Sequence, residues 1–280
     1  MKLSRQQFID WPNKCITLLG MSGVGKTTLS GLLPSDKWFH YSGDYRIGTR
    51  YMNEPILDQV KKMAMEHPFL REQLRKDSIY IRSNITIENL DPISEYLGKI
   101  GDPALGGLGL EEFKNRQHIF RQAEVSAMND VPEFLEKARD IYNYPHFLND
   151  AGGSICGLGS AECWNQLSQK SLVLYLQTNA EMEQLLIERA QKYPKPLNYE
   201  EVFLDQHIAE YLKQNSLESD TEIVPDEFVK WIFPKLLQWR TPQYEDIAAR
   251  YGHSADASKI FDLRDEADFI EFVCEAIDRE

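Results

Sequence analysis

The sequence predicts an α/β protein with a parallel sheet flanked by helices, read as one domain over residues 1–280 with helical insertions at about 54–115 and 198–238. Three observations point there. Four short runs rich in apolar residues, Lys14–Leu19, Trp38–Ser42, Tyr144–Asn149 and Ser171–Gln177, have the length of buried strands. Helical patterns separate them, and strands that alternate with helices build parallel sheets. The first run also leads straight into a glycine-rich turn and then a helix, a unit common to such sheets.

Each element follows from local signals. Lys14–Leu19 is bounded by Trp11-Pro12-Asn13 and by Gly20, and Lys26–Leu33 opens a helix stopped at Pro34. Trp38–Ser42 reads as the second strand and leads into Gly43-Asp44. From Glu54 to about Tyr142 the chain reads as mainly helical. Leu57, Val60, Lys61, Ala64 and Met65 follow a helical period, as do Phe113, Phe120, Ala123 and Ala127. Gly101–Leu110, dense in glycine and proline, reads as a loop between them. The third strand runs into Asp150-Ala151-Gly152-Gly153, and Ser171–Gln177 is the fourth. Met182–Lys192, Val202–Gln214, Asp226–Gln238 and Tyr244–Tyr251 read as helices, Ser258–Phe261 as a last strand and Glu266–Ile277 as a closing helix.

Composition excludes several classes. The hydrophobic share of 42% with 27% charged residues is that of an ordinary globular protein. The formal net charge is −13, from 44 acidic and 31 basic residues, which repels a long polyanion, so nucleic acid is not an expected partner. The apolar runs are too short to cross a bilayer and Met1–Phe8 has no apolar leader segment, so no membrane association is expected and the location is read as cytoplasmic. The four cysteines show no CxxC pair and no metal spacing, which argues for reduced thiols. The six histidines show no metal spacing either.

Gly20-Met21-Ser22-Gly23-Val24-Gly25-Lys26-Thr27 fits the pattern G-x-x-x-x-G-K-[ST] between a strand and a helix. Glycines let successive backbone N–H groups turn inward around phosphates, and the helix that begins at Lys26 adds its positive end. Lys26 is then placed for the β- and γ-phosphates and Thr27 for Mg²⁺. ATP and Mg²⁺ are therefore the expected cofactors, with Gly20, Ser22, Gly23, Val24, Gly25, Lys26, Thr27 and Thr28 as the cradle, in a P-loop NTPase fold. Asp44 and Asp150 each follow a strand, where ligands bind in open α/β sheets, and suit the outer shell of Mg²⁺ and an acceptor hydroxyl.

At these residues the chain resembles shikimate kinase and its small-molecule kinase relatives. Gly20–Thr27 resembles that family's G-M-x-G-x-G-K-[ST], and Ser42-Gly43-Asp44 falls where the family has D-x-D. Phe120-Arg121-Gln122-Ala123-Glu124 resembles F-R-x-x-E, and Asp150–Ser154 falls at the substrate-side glycine triplet. Leu172–Leu176 is similar to the family's V-V-Y-L strand. Lys195-Pro196-Leu197 stands where the family has R-P-L, and Arg240-Thr241-Pro242-Gln243-Tyr244-Glu245 resembles R-x-P-x-Y-E. Ser42 replaces the first aspartate of D-x-D, Ala151 the first glycine and Lys195 the lid arginine, and the chain is longer before Phe120 and between Leu197 and Arg240.

The resemblance implies transfer of the γ-phosphoryl group of ATP to a hydroxyl of a small, anionic acceptor. Asp44 then orients or deprotonates the acceptor, and Arg121 and Arg240 grip its charge. Gly152 and Gly153 admit it close to the backbone, while Lys195 and Arg189 close over the nucleotide. Asp44, Asp150 and Thr27 form the metal set. Arg121 also stands three residues from Glu124, the spacing of an ordinary helical ion pair. A phosphate loop alone fits a second reading equally: an ATPase that acts as a regulatory or protein-binding module, its helical insertions meeting a protein partner. Both readings stand at the level of sequence.

Overall fold

The computed structural model describes residues 1–158 and 161–279. The chain divides into two compact units. The first comprises Met1–Gly43, Ala127–Pro194 and Glu227–Glu280, and the second Asp44–Ser126 and Lys195–Asp226. Residues 54–115 and 198–226 thus lie in the second unit and 227–238 in the first.

The first unit is an α/β layer structure. Its sheet holds β1 (Cys15–Leu19), β2 (Trp38–Ser42), β3 (His146–Asp150), β4 (Leu172–Gln177) and β5 (Gly252–Asp256) in the order β2-β3-β1-β4-β5. Every neighbouring pair is parallel. All five residues of β1 are buried, as expected of a central strand with helices packed around the sheet. Helices Lys26–Leu32, Val131–Asp140, Ala161–Lys170 and Glu266–Asp278 supply that cover, and Leu29, Ala138, Phe269 and Val273 are among the residues they bury.

Two expectations change, and one element is new. Ser258–Phe261 is not a strand; it lies in the 3-10 turn Ala257–Asp262, and the last strand is Gly252–Asp256. That strand carries little apolar pattern, since Gly252, His253, Ser254 and Asp256 leave Ala255 as its one aliphatic side chain, and close packing requires glycine at its first position. A Cβ on Gly252 would stand 2.0 Å from the Val173 carbonyl oxygen. Asp256 then accepts from Ser258 N at 3.0 Å and from its hydroxyl at 2.6 Å, which turns the chain out of the sheet.

Asp226–Gln238 and Tyr244–Tyr251 are one helix, Pro225–Tyr251, that runs through Pro234 and Pro242. Proline in a helix interior costs a backbone bond. Around Pro242 the run is tied from outside: Arg240 Nη1 and the Tyr244 hydroxyl both donate to Gly153 O at 2.9 Å. Finally, Arg5–Asp10 forms a short helix closed by a capping box of Ser4 and Gln7.

The second unit is mostly helical: Asn53–Glu66, Pro68–Arg75, Asp91–Leu97, Glu201–Gln214 and the greater part of Leu110–Asn129. Gly101–Leu110 contributes the 3-10 turn Pro103–Leu105 and an isolated parallel bridge between Ile100 and Leu108. Its core is made of Met52, Ile56, Ile93, Phe113, Phe203 and Leu204. Gln117 joins two distant segments there. Its side-chain oxygen accepts from Asn198 Nδ2 at 3.0 Å and Tyr199 N at 2.9 Å, and its Nε2 donates to Leu197 O at 3.2 Å.

Candidate functional site

The glycine-rich turn leaves β1 at Leu19 and enters the helix Lys26–Leu32. Gly23 and Gly25 have φ of +89° and +105°, the left-handed region that a side chain resists. A Cβ on Gly23 would meet Arg189 Nη1 and Leu186 Cδ2 at 3.2 Å, so the guanidinium of helix Ala180–Lys192 lies beside this part of the turn. Val24 is fully buried and anchors the turn, while Ser22, Thr27 and Thr28 are exposed along it.

Lys26 is folded across the turn. Its Nζ donates to Gly20 O at 2.9 Å and Met21 O at 3.1 Å, and the side chain is only 8% exposed. The cation is thereby held on two carbonyls of the turn, at the N-terminus of the helix that follows it. Such an arrangement attracts an anion rather than a neutral group.

Asp150 reaches the same turn because β3 pairs directly with β1, with Leu18 opposite Asp150. The Thr27 hydroxyl donates to Asp150 Oδ2 at 3.2 Å. A hydroxyl and a carboxylate are hard oxygen donors. Together they suit Mg²⁺, which takes one or two protein groups and fills the rest of its shell with water and phosphate. Among the described residues no group of three or more His, Cys, Asp or Glu side chains forms a metal cluster.

The glycines after Asp150 lie against the turn itself. A Cβ on Gly153 would stand 2.8 Å from Ser22 N. Its carbonyl is the acceptor for Arg240 and Tyr244, so Arg240, 5% exposed, braces the backbone at Gly153. Tyr244 is aligned in turn by stacking on Tyr175, ring centroids 5.2 Å apart. Burial, reinforced by the nearby Glu245 charge, pushes the Tyr175 hydroxyl well above the usual phenol range and keeps it neutral. Gly43 closes the group: a Cβ there would lie 3.2 Å from Asp150 O and 3.3 Å from Gly152 N.

Within the first unit the fold therefore gathers Gly20–Thr28, Asp150, Gly152, Gly153, Arg189 and Arg240 around one turn. Asp44, Arg121 and Lys195 belong to the second unit. Asp44 stands in the short helix Gly43–Arg46, and Lys195 is exposed. Arg121 lines a cavity with His118, Gln122, Glu200 and Glu201.

His40 was not singled out by sequence, since no histidine showed metal spacing. It proves to be a neighbour of Asp150, its Nε2 3.9 Å from Oδ2. The signal was a histidine two residues before the end of a strand that turned out to pair with β3.

No protein-family model matches the chain, and no curated protein matches it. Among solved structures it is similar to the 1.7 Å crystal structure of shikimate kinase from Bacteroides thetaiotaomicron, with 15% sequence identity, 95% of each chain covered and a TM-score of 0.40. Among the described residues no helix is long and apolar enough to cross a membrane.

Proposed function

We propose that the chain is a P-loop phosphotransferase that moves the γ-phosphoryl group of Mg-ATP to a hydroxyl of a small, anionic metabolite. One observation carries the reading: a lysine held across a glycine turn at a helix N-terminus, with a threonine hydroxyl and a carboxylate in hydrogen-bond contact beside it. The turn amides and Lys26 bind the β- and γ-phosphates. Lys26 exchanges two carbonyl acceptors for phosphate oxygens without leaving the turn. Thr27 and Asp150 hold the Mg²⁺, which when bound neutralises charge on the phosphates. Arg189, beside Gly23, covers the nucleotide from the helix Ala180–Lys192. Arg240 and Tyr244 fix Gly153 against Ser22 and so keep the turn in shape.

The roles of Asp44 as acceptor base, Arg121 as acceptor contact and Lys195 as lid cation come from the sequence resemblance. Each is open to a single substitution.

The test is ADP release from Mg-ATP, with and without a panel of hydroxylated acids, sugars and nucleosides, with Lys26→Ala as blank. Stimulation by one acceptor supports the kinase. In that case Lys26→Ala lowers turnover by on the order of 10²–10³-fold, and Asp44→Asn keeps ATP binding but loses transfer. Steady turnover without acceptor dependence moves the assignment to a regulatory ATPase.

A further inference from the structure

The arrangement around Asp150 includes a group that phosphate binding does not use. Ser42 is the cross-strand partner of Asp150, and His40 stands two residues earlier on β2. Side chains two apart on a strand share a face. The imidazole and the carboxylate therefore leave adjacent strands on the same side of the sheet. His40 Nε2 lies 3.9 Å from Asp150 Oδ2, is shielded from solvent and makes no hydrogen bond. The same Oδ2 accepts the Thr27 hydroxyl at 3.2 Å.

A buried ring nitrogen without a partner calls for a physical reason. The separation is too long for a hydrogen bond. It falls within the roughly 4.0–4.4 Å that two donors, each about 2.0–2.2 Å from one divalent ion, can span, so the imidazole closes in by under about 1 Å to take an adjacent position. A hydroxyl oxygen and an imidazole nitrogen thus stand 3.2 Å and 3.9 Å from the one carboxylate oxygen. Oxygen donors alone suit Mg²⁺, whereas an imidazole raises affinity for transition ions, in the order Mn²⁺ below Co²⁺.

We propose that His40 Nε2 is a direct nitrogen ligand to the divalent cation held by Thr27 and Asp150, and that it tunes the site toward Mn²⁺ or Co²⁺ over Mg²⁺. The inference rests on the reading of Gly20–Thr28 as a phosphate cradle. Ligation uses the lone pair on Nε2, and the parallel pairing of β2 with β3 sets its distance from Asp150. Neither the glycine turn nor the strand pattern demands a histidine here; a serine or valine would fill the same strand position.

The 280-residue chain is titrated with Mn²⁺ in the presence of inorganic tripolyphosphate, and the bound ion is read by pulsed electron paramagnetic resonance. Tripolyphosphate contains no nitrogen, so any directly bound nitrogen is the protein's. The expected result is coupling to one imidazole nitrogen in the unsubstituted chain and its loss in His40→Gln. Mn²⁺ affinity in that variant falls roughly tenfold or more, and Mg²⁺ affinity changes by less than about twofold.

Mn²⁺ that shows phosphate coupling but no nitrogen coupling overturns the role of His40 and leaves the phosphate cradle standing. Mn²⁺ retention that does not depend on tripolyphosphate, or that survives Lys26→Ala unchanged, overturns the cradle and the His40 assignment with it. The nitrogen signal is read on the unsubstituted chain, so a variant that fails to fold does not decide the outcome.

Discussion

The two units position their polar groups by different means. In the first, the groups sit at strand ends and at a turn, and backbone geometry aims them. Asp150 is where it is because β3 pairs with β1 in a register that sets Leu18 opposite it. Lys26 is where it is because the turn reverses through Gly23 and Gly25 at positive φ. In the second unit the described residues form no sheet beyond one isolated bridge, and apart from a backbone bond from Asp102 N to Ile223 O, side chains join its distant segments. Gln117 alone serves Leu197, Asn198 and Tyr199, some eighty residues along the chain. Beside it, Phe113 and Tyr199 meet with ring centroids 6.2 Å apart, and Lys114 pairs with Asp205 at 2.5 Å. A sheet spreads the definition of a site over many equivalent backbone bonds. A helical unit concentrates it in a few side chains, and single substitutions should expose that difference.

The largest effect is expected from Phe113→Ala, at the centre of the second unit, with 1% of its surface exposed. Truncating a fully buried phenylalanine costs about 3–5 kcal/mol. Hydrogen exchange should quicken in helices Leu110–Asn129 and Glu201–Gln214, while β1 and β3 keep their protection. Equal loss in β1 and β3 would erase the contrast between the units.

Gly153→Ala comes next, in the first unit. The added methyl would stand 2.8 Å from Ser22 N, a backbone atom that cannot swing aside. Overpacking of this kind costs about 1–3 kcal/mol. Because the strain falls on the turn, affinity for the proposed nucleotide should drop with the melting temperature. A loss of stability with unchanged affinity would show that the turn does not depend on this contact.

Gln117→Ala should cost about 1–3 kcal/mol, since it removes the buried side-chain oxygen that accepts from Asn198 Nδ2 and the Tyr199 amide. Gln117→Glu is the sharper companion. It keeps both acceptor bonds but sets a buried carboxylate oxygen against the Leu197 carbonyl in place of a donor, so its cost should rise with pH as that carboxyl ionises. An alanine variant as stable as the parent would mean that packing, not hydrogen bonding, joins these segments.

The smallest effect concerns acid. Burial, with the nearby Lys14 charge, holds His146 below the ordinary histidine range, and its Nδ1 accepts from Lys14 N at 3.1 Å. Glu266 accepts from Trp38 Nε1 at 2.7 Å and Lys37 Nζ at 3.1 Å. Burial alone would raise its carboxyl, but those bonds carry it below the usual range.

Both lowered values have the same sign for stability. The unfolded chain takes up a proton on His146 first as pH drops below about 6.5. Glu266 contributes stability above about 4.3, which is lost as pH falls through its lower folded value. The urea midpoint should therefore fall in two steps toward acid. His146→Gln should remove the upper step alone, and a single step in the parent would assign the acid response to Glu266 and other carboxylates.

The contrast between the units also governs what could be read in advance. The strands β1 to β4, the glycine turn and the helix behind it were legible because each is set by a run of fewer than about ten residues with its own pattern or its own φ requirement. The capping box of Ser4 and Gln7 was equally local and could have been read from the spacing. In the second unit only the helical character was legible; the partners of Gln117 were not.

The sequence by itself determined the glycine turn, four of the five parallel strands and the place of Asp150 at the end of its own strand. These follow from backbone preferences that act over a few neighbours. Tertiary structure decided the rest. It made Gly252–Asp256 the last strand, because only glycine lets that backbone approach the Val173 carbonyl oxygen. It carried one helix through Pro242, because Arg240 and Tyr244 reach Gly153 across 87 and 91 residues. It also brought His40 to Asp150, through a strand pairing that no local pattern encodes. Contacts of that range depend on which strands become neighbours, and that choice is made when the whole core packs.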